Sequence, residues 1–276
     1  MSLKYYGCVC FYFLKIFQKK KILSEENIKL INQDLIKYDL VSIKNYIKNK
    51  IFETNIENLQ SINFNYMHIK NLLPDDYYNQ LTKFIHNNTS HLAKTKMYKN
   101  DTTNILYVDI IDYTFATEES DEIKKFLRDL NTIFELIGLE IWKKFEFKKH
   151  TNNYENVKLT PFAQILVRKN KQFSINPHLH GKTEILDCLF YFPDSNIDKD
   201  HGTIIYEKTN DEIKVGNRVE YEGFDIKNFK IAKQFDYVPN TLVAWINNEK
   251  SFHGANPDWK PAKENKKNIF FGLRKA

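Results

Sequence analysis

Two histidines one residue apart, in the stretch Asn176-Pro177-His178-Leu179-His180-Gly181, are the side chains of this chain best suited to chemistry. On an extended strand, residues i and i+2 project to the same side, so the two imidazoles would converge on one point. Converging imidazoles suit a divalent transition metal, although a pair alone is also what an exposed polar strand displays. A third histidine, in Ser251-Phe252-His253-Gly254, follows the apolar run Thr241–Ile246. If a closed sheet returns that run beside the first, the third imidazole completes a facial site with open positions, as iron(II) oxygen chemistry requires. Glu184 is a further candidate ligand; an exposed strand carboxylate is its plain alternative.

The elements that must hold these residues follow from periodicity. Short aromatic and β-branched runs at 161–168, 172–178, 184–192, 202–208, 229–236, 240–246 and 267–274 are separated by turn residues and read as strands. Phe64 to Ile69 and Asn104 to Tyr113 read as two earlier strands. Leu73-Pro74-Asp75-Asp76 opens a helix, with proline early and acids in the first turn. From Ser120, Ile123, Phe126, Leu127, Leu130, Ile133, Phe134 and Ile137 form one helical stripe, with Gly138 a point of kinking or interruption. Residues 1–60 read as a helical extension. Ser24 caps a helix whose first turn holds Glu25 and Glu26, and a second short helix starts near Ser42. Helices first and strands later predict an α+β chain, a sheet-rich barrel or sandwich supported by helices on one face.

With these blocks in view, the stretch from Pro177 to Pro193, closing on Leu189-Phe190-Tyr191-Phe192-Pro193, resembles the metal-binding strand of iron(II)/2-oxoglutarate-dependent oxygenases of the prolyl-hydroxylase-like type. Gly202-Thr203-Ile204-Ile205-Tyr206 is similar to the family's next strand. Val238-Pro239-Asn240-Thr241-Leu242-Val243-Ala244-Trp245, followed by Phe252-His253-Gly254, is similar to the strand bearing its distal histidine. Phe64 to Asp76 resembles the family's opening strand and helix, so the likeness spans roughly residues 62 to 276 in the family's order. It implies a double-stranded β-helix (jelly-roll, cupin-like) barrel over 61–276. It also implies one iron(II) held by His178, His180 and His253 as metal ligands and catalytic centre, and 2-oxoglutarate as co-substrate for hydroxylation of a C–H bond. The family anchors the distal carboxylate of 2-oxoglutarate with Arg or Lys on the final strand. Spacing favours Lys267, the bidentate guanidinium favours Arg274, and Tyr206 is a further hydrogen-bond candidate. The two cations have opposite strand parity, so they are expected on opposite faces.

One departure matters. The family's acidic ligand falls at His180, so His-x-Asp becomes His-x-His, and a neutral imidazole leaves the site one negative charge short. His178-x-His180-x-x-x-Glu184 also resembles the first metal motif of cupins, but Pro239 lies farther from His253 than the second cupin motif would place it. Two rival readings follow: a three-histidine dioxygenase that needs no 2-oxoglutarate, and a non-catalytic barrel that binds a metal or small molecule.

Composition bounds the rest. The chain has 276 residues, a net charge of +6 and 42% hydrophobic residues, which is globular and long enough for one good-sized domain plus an appendage. The charge is mostly lysine spread along the chain; the arginines are Arg128, Arg168, Arg218 and Arg274. No segment interleaves basic and aromatic residues as a nucleic-acid groove would, so the expected partner is a small-molecule or peptide substrate. Cys8, Cys10 and Cys188 do not make a disulfide framework, which points to a reducing, cytoplasmic setting. The apolar run Tyr5 to Phe17 is too short to span a bilayer and reads as a packed or interfacial helix. His201, in Asp200-His201-Gly202, reads as a solvated turn residue, and Cys188 as a buried thiol.

Overall fold

The computed structural model describes residues 38–92, 98–100, 105–109, 121–145, 158–168, 176–193, 201–209, 224–255 and 266–276. The apolar run 5–17, the helix capped by Ser24 and residues 172–175 of the strand expected over 172–178 lie outside these. The first described helix, α1 (Leu40–Glu53), starts on Asp39, whose carboxylate accepts the Val41 N–H at 2.9 Å. Ile43, Ile47 and Ile51, four apart, give it one buried stripe. Pro74 and the acids Asp75 and Asp76 open α2 (Asp75–Leu92) at the expected place. A third helix, α3 (Asp121–Lys144), buries the stripe Phe126, Leu130, Ile133, Phe134, Ile137 and Ile141, and α1 packs against it. It runs unbroken through Gly138, contrary to the expected interruption. That glycine is buried where α3 passes over Gly272, and packing there holds the helix despite its low propensity.

Among the described residues the strands are β1 (Glu57–Leu59), β2 (Phe64–Lys70), β3 (Tyr98–Asn100), β4 (Ile105–Asp109), β5 (Leu159–Arg168), β6 (Glu184–Tyr191), β7 (Ile204–Lys208), β8 (Phe229–Gln234), β9 (Thr241–Ile246), β10 (His253–Gly254) and β11 (Lys266–Lys275), of which the short β1, β3 and β10 are not expected from the sequence. They form an eight-stranded sheet, ordered β1-β2-β9-β6-β11-β5-β4-β3, and a three-stranded sheet, β10-β7-β8. Every pairing is antiparallel.

Period-two alternation sorts the side chains of the large sheet. Phe64 and Tyr66 of β2, Phe162 and Leu166 of β5, Leu189 and Tyr191 of β6, Val243 and Trp245 of β9 and Phe270 of β11 share one face. They meet Ile205, Phe235 and Tyr237 from the small-sheet side in one core. The opposite face carries Phe190 and Phe271, which pack on Phe134 of α3 at ring separations of 5.6 and 4.9 Å. The central strands β6 and β11 are therefore buried on both sides, which explains their near-continuous apolar character. Among the described residues, no helix is long and apolar enough to cross a membrane.

Gly272 sets how closely β11 approaches β6. A Cβ there would lie 1.8 Å from the Leu186 carbonyl oxygen, beside the register shift between Leu273 and Arg274. Gly272→Ala must push the two central strands apart, and the expected loss is about 1–3 kcal/mol of folding free energy by denaturant titration. An unchanged transition midpoint would show that the strands yield without cost.

Candidate metal centre

His178 lies beyond any regular strand. It pairs with His253 through an isolated antiparallel bridge, His178 N–H to His253 O at 2.9 Å and His253 N–H to His178 O at 3.0 Å. The strand expected to carry both His178 and His180 is, over 176–183, that bridge followed by a turn. The turn is fixed by its own bonds. Glu184 N–H donates to the Gly181 carbonyl, and the Glu184 carboxylate accepts from the Gly181 N–H, both at 3.0 Å. Asn247 donates to the Glu184 carbonyl at 3.0 Å, tying the turn to the end of β9. Glu184 is thereby a turn-holding residue and stands outside the group of converging ligand atoms.

The turn folds His180 back over β6, beside the other two imidazoles. Ring centroids lie 4.3 Å apart for His178 and His253, 4.6 Å for His180 and His253, and 5.4 Å for His178 and His180. One ligand nitrogen from each falls within 4.8 Å of the others. Each ring is held from behind by Nδ1. His178 Nδ1 meets the Asn176 carbonyl at 3.0 Å, His253 Nδ1 the Ser251 carbonyl at 2.9 Å, and His180 Nδ1 an Asp187 carboxylate oxygen at 2.9 Å. All three acceptors demand a proton on Nδ1, so each ring is left with Nε2 to face the common point, as in metal-binding histidines. Burial of the His180 ring opposes its positive charge, but the Asp187 carboxylate, with Glu184 beyond it, outweighs that and holds its pKa above the ordinary imidazole value. Phe270, 5.1 Å from the His180 ring, and Trp245, 4.8 Å from the His253 ring, line the site with apolar surface. The donor set thus fits a divalent transition metal: three imidazoles, oriented from behind, with open positions left over.

The other expected residues are placed differently. Lys267 shares the face of β11 that carries Ile269 and Phe271, toward α3, whereas Arg274 has the parity of Phe270. The Arg274 guanidinium stacks on Phe162 at 3.8 Å, with Glu184 3.6 Å from its Nε. Tyr206 is not brought into the space between the sheets. Its hydroxyl donates to the Ala255 carbonyl at 3.1 Å, and its ring joins Leu179, Ile204, Phe229 and Phe252 in a separate cluster. A register shift between Ile205 and Tyr206 and the alternation of β7 turn Ile205, not Tyr206, toward the inter-sheet core.

The residue that sequence reasoning missed is Lys266. It lies on the Phe270 face of β11, 7% exposed, with its ammonium 5.1 Å over the Tyr237 ring and bonded to the His201 carbonyl. Beside it Tyr191 and Thr203 share a 2.6 Å hydroxyl contact, and Asn268, on the same face, is buried. His201, expected in solvent, is 8% exposed because this cluster packs against its turn. The signal for Lys266 was present as parity with Phe270, but which parity faces inward is not readable from β11 alone. Cys188 is buried, as expected.

No family profile and no curated protein matches the chain in sequence. Solved structures do resemble it. The non-heme alpha ketoglutarate dependent carbocyclase SnoK from nogalamycin biosynthesis superposes with a TM-score of 0.51 at 12% identity, over 82% of this chain and 86% of that one. A prolyl hydroxylase from Trichoplax adhaerens, in complex with a hypoxia inducible factor peptide fragment, gives 0.46 at 10% identity, over 94% of both chains. A prolyl-4-hydroxylase from Pseudomonas putida gives 0.47 at 10%, over 83% of this chain and 99% of that one. The likeness to SnoK establishes a shared fold.

The geometry predicts one divalent ion per chain. His178→Ala and His253→Ala are each expected to weaken cobalt(II) binding at least about 100-fold, since each removes an imidazole ligand rather than an outer-shell partner. Chelator competition would measure it. Wild-type affinity in either variant would show that the imidazoles do not act together.

Proposed function

We propose that this chain is a mononuclear non-haem iron(II), 2-oxoglutarate-dependent oxygenase on a double-stranded β-helix, hydroxylating a small-molecule or peptide substrate. One observation carries the reading: three inward-facing imidazoles stand at one end of an inter-sheet space whose interior holds a buried cation, Lys266. Iron(II), held by His178, His180 and His253 and bound to 2-oxoglutarate, would supply the oxidising chemistry.

The chain's own groups supply the rest. The alternate residues Lys266, Asn268 and Phe270 line β11 from the polar interior to the His180 ring. Over four residues a strand advances about 13 Å, enough to seat a short dicarboxylate end-on between the imidazoles and the ammonium. Lys266 then meets the distal carboxylate, with the Tyr191 and Thr203 hydroxyls beside it. Lys267 faces α3 and Tyr206 a separate cluster, so neither takes that role. Arg274, on the inward parity but at the strand's other end, is available to a substrate. Phe270 and Trp245 exclude water around the imidazoles, which strengthens every electrostatic contact there.

Among the described residues no carboxylate joins the converging ligand atoms, which favours a second reading, a three-histidine dioxygenase that binds its substrate directly to the metal. Anaerobic titration of the iron(II)-loaded protein with 2-oxoglutarate separates the two. The oxygenase reading expects a charge-transfer absorption band. It also expects Lys266→Ala to weaken 2-oxoglutarate about 10- to 100-fold, the worth of a hydrogen bond to a charged group, with Lys267→Ala near wild type. Oxygen uptake with substrate but no 2-oxoglutarate binding would instead establish the second reading.

A further inference from the structure

We propose that Asp187 restores, from behind His180, the negative charge that a His-x-His ligand pair lacks, and that it acts as a positioning residue for the metal. The inference rests on the reading that His178, His180 and His253 hold a divalent cation.

Asp187 lies in the middle of β6, between Trp245 of β9 and Gly272 of β11, and its side chain is wholly buried. One carboxylate oxygen meets His180 Nδ1 at 2.9 Å; the other, Oδ1, has no hydrogen-bond partner among the described residues. Neither cross-strand neighbour is charged. The nearby guanidinium of Arg274 is stacked on Phe162 and lies next to Glu184 instead. A carboxylate taken out of water is strongly disfavoured unless a positive charge answers it. Here the route to such a charge runs through one imidazole, whose far nitrogen faces the common point of the three rings.

The three rings are not equivalent in this respect. His178 and His253 are backed by the neutral carbonyls of Asn176 and Ser251. Among the described residues the carboxylate contact at Nδ1 falls on His180, the ligand position where the resembling oxygenases carry an acid. The negative charge has moved one hydrogen bond away from the metal while staying at the same corner of the site. A carboxylate behind an imidazole fixes its tautomer and raises its basicity as a ligand. A carboxylate that only steadied the fold would leave cobalt(II) affinity unchanged when its charge is removed; one that lends charge to the bound cation through the imidazole would not.

Asp187→Asn keeps the shape and can still accept the imidazole N–H, but it carries no charge. The test compares full-length wild type with Asp187→Asn, using cobalt(II) affinity by chelator competition and thermal melting of the metal-free proteins. The expected result is a 10- to 100-fold loss of cobalt(II) affinity, on the order of other outer-shell substitutions, with the metal-free variant still melting cooperatively. Equal affinity overturns the proposal. Should Asp187→Asn not fold, proton NMR of cobalt(II)-loaded wild type decides. A hyperfine-shifted, slowly exchanging Nδ1–H assigned to His180 supports the arrangement, and cobalt bound through His180 Nδ1 overturns it. If the wild type binds no cobalt(II), the metal-site reading itself fails; if wild type binds and Asp187→Asn binds equally, only the role of Asp187 is lost.

Discussion

The site depends on two backbone hydrogen bonds, those exchanged between His178 and His253. The two residues are far apart in the chain, and one closely spaced antiparallel pair sets their Cα atoms about 5.5 Å apart. Neither residue has much regular structure to lean on. His178 stands outside any strand, and His253 opens the two-residue strand β10. The bridge therefore fixes the ligand geometry, and the two sheets serve to bring its halves together. His253 pairs onward with Ile205 of β7, so the bridge also anchors the small sheet beside the site.

What surrounds the bridge is a set of short-range devices that aim side chains. The Asn247–Ser251 turn closes on itself, with the Ser251 hydroxyl donating to Asn247 at 2.7 Å, and presents the Ser251 carbonyl to His253. The Gly181–Glu184 turn swings His180 over β6 to reach Asp187. In each case a polar side chain satisfies backbone groups that an irregular segment would otherwise leave unpaired, as buried chain requires. The outcome is a cluster of titratable groups whose tautomers are dictated by their neighbours.

The interior between the sheets is correspondingly polarised. At one end stand the imidazoles, flanked by Phe270 and Trp245. Further in, Lys266, Tyr191, Thr203 and Tyr237 form a buried polar cluster with its hydroxyls paired, Tyr237 donating to the Lys267 carbonyl at 2.6 Å. Buried polar groups of this kind are costly unless satisfied, and here Tyr191 of β6 and Lys266 of β11 find their partners in Thr203, Tyr237 and His201, outside the two central strands.

The sequence by itself determined most of the elements and which side chains are candidate metal ligands. The i, i+3, i+4 stripe of α3 and the alternation of β2, β9 and β11 are local consequences of which residues can share a face, so their positions were legible to within a few residues. So was the candidate triad His178, His180 and His253, because imidazoles beside apolar strand runs are chemically conspicuous. Tertiary structure decided which strand face is inward. Parity separates Lys267 from Lys266 and Tyr206 from Ile205, but a period of two is symmetric, and only packing of α3 against Phe271 on one side and of Ile205 and Phe235 against Phe270's face on the other breaks the symmetry. It also decided the partner of His180. Asp187 looks like any acid on an apolar strand until the Gly181–Glu184 turn folds the His180 imidazole onto it, a turn held by its own hydrogen bonds and by Asn247 just past β9.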